Sequence, residues 1–570
     1  MKDKKWVSAS TQSNVVDEIA HKYSYPRSVA IYLNARGIDI DGVDNFVNGP
    51  LNSLSNPFRF PGMKLAVKRL WDAIEKREKI LIHGDYDSDG VTSSALLSWV
   101  LEKNGAKLTT FLPHRFDDGY GFTPESLHKA IDLAGGNCKV LVTVDCGINS
   151  VESVIEANRL GVDVILTDHH EPGEVIPPAI AVLNPKVHEG LEDLEILAGV
   201  GVAFKLCHAF IEYGRKYNLG GNSTNLKEGL DLVALGTIAD IVPLTGENRT
   251  MVKFGIKVLK KQLRPGIRAL AERAKLQTKL KAADVTFKLA PRINAAGRLG
   301  NANVALGLLR ANNIVDAHKY ATELEDLNGQ RQKTESDIYE QAKQQIEAIP
   351  DLKEHFSILA AGEGWHQGVI GIVASRLARD YNRPAIVLTI NNGEAHGSGR
   401  SIGHLNLVKI LTKSANLLDR FGGHPMAVGL GLDEENIVQF RKEFEANVKA
   451  GLDDDDLVDK LDYDGEIEIS ELGDDFFDLL EALSPFGHSN PTPVFRFRGL
   501  TPVKLSSAGQ RHSRGLLRDH RGDAIGFIAF NKDPKDMPEG EWDVLATPQL
   551  NNHFGEARPQ LQIIDVKSML

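Results

Sequence analysis

Lys79-Ile80-Leu81-Ile82-His83-Gly84-Asp85-Tyr86-Asp87-Ser88-Asp89-Gly90 joins a short apolar run to alternating carboxylates and a glycine. The same design returns at Val140-Leu141-Val142-Thr143-Val144-Asp145-Cys146-Gly147 and at Val162-Asp163-Val164-Ile165-Leu166-Thr167-Asp168-His169-His170, and Asp240 stands just past a further apolar run. Runs this short, rich in Val, Ile and Leu and bounded by Gly, predict strands covered on both faces. Residues beyond the carboxyl ends of parallel strands converge on one crevice, so carboxylates distant in sequence can meet there. Several anionic oxygens and imidazoles in one crevice would repel and desolvate one another unless cations neutralised them. The pattern therefore predicts a metal cage.

Around these motifs, from about residue 63 to 241, strand-like and helix-like segments alternate, the signature of repeated βαβ units and a parallel sheet. The stretch from Asp316 to Ile349 is almost free of Gly and Pro, and its centre from Gln330 to Asp337 is polar all round, which predicts a long helix bridging domains. A second α/β unit runs to about Ala450, with strand-like Phe356–Ala360 and Ala385–Leu388 flanking a helix near Val369–Arg379. After the acidic run Asp453–Asp456 come short alternating segments separated by Gly, Pro and Asn, as expected of a small β-barrel.

With 570 residues, 42% hydrophobic and 25% charged, the chain has the balance of a folded protein of several domains. Three scattered cysteines, Cys138, Cys146 and Cys207, are too few for a disulfide framework or a zinc ribbon, so a reducing cytoplasm is the expected setting. The start Met1-Lys2-Asp3-Lys4-Lys5-Trp6 has no apolar signal core, and no run of 18 apolar residues predicts a membrane span. A net charge of -11 argues against a nucleic-acid partner only on average. From Lys253 to Arg298 there are 13 Lys or Arg against 2 acids, and local potential steers an anionic ligand.

Asp-x-Asp-x-Asp-Gly also begins a calcium loop, but the downstream Glu of an EF-hand is missing at its spacing. Each Asp could alone be a helix cap; four such coincidences together favour the cage. Imidazole with carboxylate suits Mn²⁺, Zn²⁺ or Fe²⁺, and oxygen-rich cages suit Mg²⁺ or Mn²⁺, so Mn²⁺ is preferred and Mg²⁺ possible.

The three motifs, with Gly236-Thr237-Ile238-Ala239-Asp240-Ile241-Val242-Pro243, resemble in order the four signatures of the DHH phosphoesterase superfamily. Pro291-Arg292-Ile293-Asn294-Ala295-Ala296-Gly297-Arg298, the stretch Trp365–Leu377, Gly397-Ser398-Gly399-Arg400-Ser401 and Phe421-Gly422-Gly423-His424 extend the likeness to the RecJ exonuclease family over nearly the whole chain. The resemblance implies an α/β parallel-sheet DHH domain (63–315) after an N-terminal segment (1–62), a long connecting helix (316–350), a smaller α/β DHHA1 domain (351–452) and a C-terminal OB-fold barrel (457–570) that binds nucleic acid. It implies two divalent ions held by Asp87, Asp89, Asp145, His169 and Asp240, with Asp145 bridging and with Asp85 and His83 beside or within the same set. His170 would face the scissile phosphate and Asp168 would orient its neighbours. Two such ions about 4 Å apart activate water and stabilise charge during in-line attack on phosphorus.

Arg115 and Tyr120, in a Gly-containing loop, would meet the substrate, the ring by stacking on a base. Arg292, Asn294 and Arg298 lie among small residues that allow close approach to phosphate. Ser375 and Arg376 are read at the end of a helix, Arg400 and Ser401 after a Gly-Ser-Gly turn, and His424 in a Gly turn. By the resemblance these positions clamp the strand and its terminal 5′ phosphate. The implied activity is hydrolysis of single-stranded DNA from its 5′ end to mononucleotides in recombination and repair, by a monomer working beside a helicase and a single-strand-binding protein. Competing functions are a small-substrate phosphoesterase of the same superfamily, acting on short oligonucleotides, cyclic dinucleotides or pyrophosphate, and a non-catalytic strand-binding scaffold resembling Cdc45. Length and the extra barrel count against the first, and the intact acidic set against the second.

Overall fold

A computed structural model describes residues 4–119, 121–276, 280–509, 511–551 and 557–569. It divides into two compact units, one of residues 6–293, 302–321 and 462–570, the other of residues 1–5, 294–301 and 322–461.

The first unit contains a fully parallel sheet of β1 (Lys79–Gly84), β2 (Lys107–Phe111), β3 (Val140–Val144), β4 (Asp163–Thr167) and β5 (Ala181–Leu183), ordered 2-1-3-4-5. The run of β3 is buried at every position, as a strand between two helical layers requires. The chain leaves β1 toward β2 on one side, and β3 pairs on the other, so a topological switch point falls between β1 and β3. The DYDSDG motif and Asp145 emerge at that point. The apolar run before Asp240 is a helix, Leu230–Ala239, buried along its length, so Asp240 reaches the crevice as a helix C-cap and not from a strand end.

The N-terminal segment shares its core with another part of the chain. Its helices Ser13–Tyr23, Arg27–Ala35 and Gly42–Asn48 share one apolar cluster with the C-terminal barrel, including Ile19, Tyr32, Phe476, Phe495, Phe527 and Trp542. Tyr32 Oη donates to Asn490 Oδ1 at 2.6 Å, and the buried Arg249 guanidinium donates to the carbonyls of Phe46, Ala482, Ser484 and Pro485. The barrel closes through strands Phe495–Ser507, Ser513–Arg518, Ala524–Ala529, Arg558–Ser568 and Trp542–Asn551, the last pairing back on the first. Phe495 and Phe527 fill its core, whereas Phe530 is exposed.

The helix Ile314–Glu347 is 34 residues long and contributes its first turns to one unit and the rest to the other. Between Asn328 and Ile338 it buries no residue, in keeping with its polar middle. The second unit holds a mixed sheet in the order Arg420–His424, Ala427–Asp433, Glu394–Arg400, Ala385–Asn391 and Ile358–Glu363, of which the last two are parallel. Here the sequence reading needs correction. Gly397, Ser398 and Gly399 are not a turn but the interior of a strand, and Gly422 and Gly423 lie in the edge strand of a hairpin. A Cβ on Gly397 would stand 2.5 Å from Leu388 Cδ2, and one on Gly399 2.6 Å from Val428 Cγ2, so close packing requires glycine there.

Candidate metal centre and strand-binding residues

Asp87 caps the helix Ser88–Lys103, accepting from Asp89 N at 2.8 Å and Gly90 N at 3.1 Å. That turn is so tight that a Cβ on Gly90 would meet the Asp85 backbone at 2.5 Å. Asp89 reaches across to the start of the helix Gly199–Lys216 and accepts from Gly199 N at 2.6 Å and Val200 N at 2.9 Å. Two backbone donors and the positive end of a helix hold this carboxylate in place. Asp145 follows β3 at φ 61, a left-handed conformation that an Asp adopts at a cost, and the strain turns its side chain back into the crevice.

Three sets of potential ligand atoms gather as a result, each within 4.8 Å: Asp85, Asp87 and Asp145; Asp89, His169 and Asp240; and Asp145, His169 and His170. Asp145 belongs to two of them, on either side. His169 Nε2 lies 3.2 Å from Asp145 Oδ1, 3.7 Å from Asp240 Oδ2 and 3.9 Å from Asp89 Oδ2. Asp145 Oδ1 and His169 Nε2 are both buried and neither makes a hydrogen bond. Orphaned polar atoms of this kind are costly, and a cation between them removes the cost.

The protonation of the metal-free site makes the same point. Burial first, then the charge of Asp87, pushes Asp85 and Asp89 up to about 7. Burial, then Asp89 and Asp87, pushes Asp240 up to about 9, and Asp145 also stands well above the usual carboxylate range through burial and then Asp89. Burial lowers His169 to about 3, which keeps its ring neutral and able to ligate. The donor set, neutral imidazole with five carboxylates, fits a pair of divalent ions of the Mn²⁺ or Mg²⁺ kind.

Asp168 is held differently. It accepts from Ile148 N at 2.9 Å, His169 N at 2.7 Å and His170 N at 3.1 Å, and it meets His170 Nδ1 at 2.7 Å. Burial opposes ionisation, but the hydrogen bond and charge of His170 outweigh it and hold Asp168 below the usual range. In turn burial works against the imidazolium, while the bond to Asp168 lifts His170 to about 9. The result is a half-exposed cationic ring fixed beside the ligand atoms.

His83, expected beside or within the ligand set, lies outside the gathered atoms. It is fully buried, with Nε2 3.0 Å from Ser126 Oγ, Nδ1 3.8 Å from Cys146 Sγ and the ring between Phe111 and Phe122. Both nitrogens are occupied behind the Asp145 turn, so it braces the cage from the rear. Gly199 was missed by sequence reasoning. A Cβ there would stand 2.5 Å from Asp145 Oδ1, and a bare helix start in Ala198-Gly199-Val200-Gly201 was the available signal.

Among the expected strand contacts, Arg115 lies 5.3 Å from the ring centroid of Tyr86, inside the first motif. Tyr120 falls outside the described residues. Arg292, Asn294 and Arg298 lie on the helix Ala290–Leu299, where Arg292 donates to Lys288 O at 2.6 Å and Arg298 to Gly368 O at 3.3 Å. Ser375 and Arg376 are in the middle of the helix Gln367–Tyr381, not at its end. Ser375 Oγ donates to Gly371 O at 3.0 Å, and the Arg376 guanidinium covers the Tyr339 ring at 3.7 Å. Arg400 donates to Ser398 Oγ at 3.0 Å and Gly399 O at 2.8 Å, and Ser401 Oγ to Leu405 O at 2.6 Å. His424 is exposed at the end of its strand. The same sheet bears a cavity of about 360 Å³ lined by Gln367, His396, Arg420 and Phe421, of which Gln367 and Phe421 fall in stretches singled out from sequence and His396 and Arg420 do not.

Comparison with known proteins agrees with this architecture. Family models match in order: the N-terminal domain of the DHH family at residues 79–237, the DHHA1 domain at 354–450 and the RecJ OB domain at 463–565. The chain is 34% identical over 576 residues to the single-stranded-DNA-specific exonuclease RecJ of Bacillus subtilis, covering 98% of this chain and 70% of that protein. It is 38% identical to the RecJ of Dickeya dadantii, covering 88% of this chain and 90% of that protein. The crystal structure of RecJ from Thermus thermophilus in complex with Mn²⁺ superposes with a TM-score of 0.85 at 29% identity, over 100% of this chain and 80% of that one. A second structure of that protein holds Mg²⁺, with a TM-score of 0.78 at 29% identity, over 99% of this chain and 79% of that one. With three domain models in sequence and relatives matched along most of their length, the chain belongs to the RecJ family of DHH proteins.

Proposed function

We propose that the protein is an exonuclease that hydrolyses single-stranded DNA in the 5′ to 3′ direction and releases 5′-mononucleotides in recombination and repair. One observation carries the reading: buried Asp145 Oδ1 and His169 Nε2, both without a hydrogen bond, lie at the junction of three ligand sets. Asp85, Asp87 and Asp145 would hold one divalent ion, and Asp89, His169 and Asp240, beside Asp145, the other. Bound there, such a pair would neutralise phosphate charge and supply a water acidic enough to attack phosphorus at neutral pH. Gly199 and Val200 fix the Asp89 oxygens toward the cage. Asp168 holds the His170 imidazolium through Nδ1 and leaves its second nitrogen to donate to a phosphate oxygen. Arg115, Arg292, Asn294, Arg298, Ser375, Arg376, Arg400, Ser401 and His424 contact the strand, with Tyr120 stacking on a base; the match to single-strand exonucleases supports these roles.

Among the described residues no helix is long and apolar enough to cross a membrane. The setting in this reading is the cytoplasm, where the protein acts as a monomer beside a helicase and a single-strand-binding protein. The test uses strands labelled at the 5′ or the 3′ end with Mn²⁺, beside duplex and RNA controls. Early release of the 5′ label as mononucleotide, with the 3′ label retained on shortening fragments, is expected. Binding without cleavage would favour the scaffold reading, and cleavage restricted to dinucleotides the small-substrate reading.

A further inference from the structure

Just before the helix that carries Arg292, residues Val285–Leu289 form a π-helical turn, a rare local geometry that recurs at functional sites. The turn has two faces. Val285 and Leu289 are fully buried, and the segment packs against the helix Leu230–Ala239, whose C-cap is Asp240. Phe287 points the other way and is 76% exposed, the most exposed large apolar side chain among the described residues. An exposed phenylalanine forgoes the transfer free energy that its two neighbours gain. Its surroundings are cationic: Lys281 and Lys288 are exposed, Arg292 follows one turn later, and Asp284, the one acid in this stretch, is paired with Lys288 at 2.8 Å.

We propose that Phe287 is a stacking platform for one base of the bound strand, held by a π turn that is anchored on the helix bearing Asp240. This rests on the reading that the substrate is single-stranded DNA. An aromatic face beside Lys and Arg is the recognition unit for an unpaired strand: the ring takes a base of any kind and the cations take the flanking phosphates. It also gives a role to the basic stretch from Lys253 to Arg298, whose charge opposes that of the chain as a whole. The ring lies outside the cage, so it affects how the strand is held and leaves the reacting groups untouched.

The experiment compares the full-length protein with F287A, F287L and F287W in Mn²⁺, using a labelled oligothymidine and bis(p-nitrophenyl) phosphate, a phosphodiester without a base. F287A should raise the strand KM roughly 5- to 150-fold, the range of one lost stacking contact, and leave turnover of the small diester unchanged. F287W should match or exceed the parent, and F287L should lose most of what F287A loses. In an abasic scan of the strand, one position should weaken the parent as much as F287A does, with no further loss in F287A. A strand KM for F287A within twofold of the parent, an F287L equal to the parent, or a fall in small-diester turnover overturns the inference. A parent that leaves the single strand uncut overturns the exonuclease reading and this inference with it; a parent that cuts while F287A is indistinguishable overturns this inference alone.

Discussion

The parallel sheet of residues 79–183 and the mixed sheet of residues 358–433 are each five strands wide, yet they handle polar chemistry in opposite ways. The parallel sheet buries its charges. Topology brings strand ends from different parts of the chain to one switch point, and five carboxylates and an imidazole come together where water is scarce. The mixed sheet carries Arg400, Arg420 and His396 outside its core and uses glycine in strand interiors to let neighbouring side chains pack close. Buried like charges make the first region dependent on cations. The second depends on shape, and substitutions should separate the two.

The largest effect should come from Asp145, shared by two ligand sets. Asp145→Ala should lower strand turnover on the order of 10²- to 10³-fold or more and abolish tight binding of at least one Mn²⁺ in calorimetric titration. Retained turnover would show that the cage is assembled without this carboxylate. Gly199→Ala follows. The new Cβ would stand 2.5 Å from Asp145 Oδ1, so Mn²⁺ affinity should fall about 10- to 100-fold and cleavage with it, although no ligand has been removed.

The dependence on cations can also be read as a pH profile. Above pH 6.5 the rings of His83 and His169, lowered to about 3, are neutral in the folded chain and mostly neutral in the unfolded one. In that range the raised groups decide: Asp85 and Asp89 at about 7, Asp240 at about 9 and His170 at about 9. Each holds more proton folded than unfolded, so stability of the metal-free protein falls as pH rises. Its Tm should drop by at least a few degrees between pH 6.5 and 9. The Tm gain from a fixed excess of Mn²⁺ should grow over the same range, because binding then displaces fewer protons. A metal-free Tm that is flat or rising would mean that the carboxylates are not driven together.

The two regions also differ in what could be read in advance. Charged residues directly after apolar runs make a pattern that survives without knowledge of the fold, so the gathering of Asp85, Asp87, Asp89, Asp145, His169 and Asp240 is legible in one dimension. His83 looked the same in sequence, and only packing between Phe111 and Phe122 separates it from its neighbours. Asp240 joins the gathered atoms from a helix, and its apolar run gives no warning of that because a buried helix and a buried strand are both continuously apolar. In the mixed sheet the signal misled. Gly397 and Gly399 read as a turn by local preference, and the reason for them, side chains of Leu388, Leu430 and Val428 from neighbouring strands, does not show in the local sequence. The shared core of the N-terminal helices and the barrel was illegible for the same reason, since its halves are more than 400 residues apart.

Glycine packing in the mixed sheet predicts a moderate effect of another kind. Gly397→Ala should cost about 1 to 3 kcal/mol of stability, because its Cβ would stand 2.5 Å from Leu388 and 2.8 Å from Leu430, while Mn²⁺ affinity stays at the parent value. A loss of Mn²⁺ affinity in a folded G397A would remove the contrast between a cation-dependent and a shape-dependent sheet.

The smallest effect concerns Arg376, and it tests whether every arginine of the second unit serves the strand. Its guanidinium lies 3.7 Å over the Tyr339 ring, and Nε is 3.7 Å from Asp380 Oδ2, the carboxylate that accepts from Tyr339 Oη at 2.8 Å. A cation already stacked and paired has less to offer a phosphate than Arg420 at the cavity rim. Arg376→Gln should therefore cost about 0.5 to 1 kcal/mol of stability, the worth of an exposed cation–π contact, and Tyr339→Leu should abolish that cost in a double-mutant cycle. Its contact with the strand should show separately, as a fall of about one unit of slope in the salt dependence of strand binding by R376Q. The guanidinium is half-exposed, so both effects can be measured on one variant, and their ratio divides packing from phosphate contact at this position.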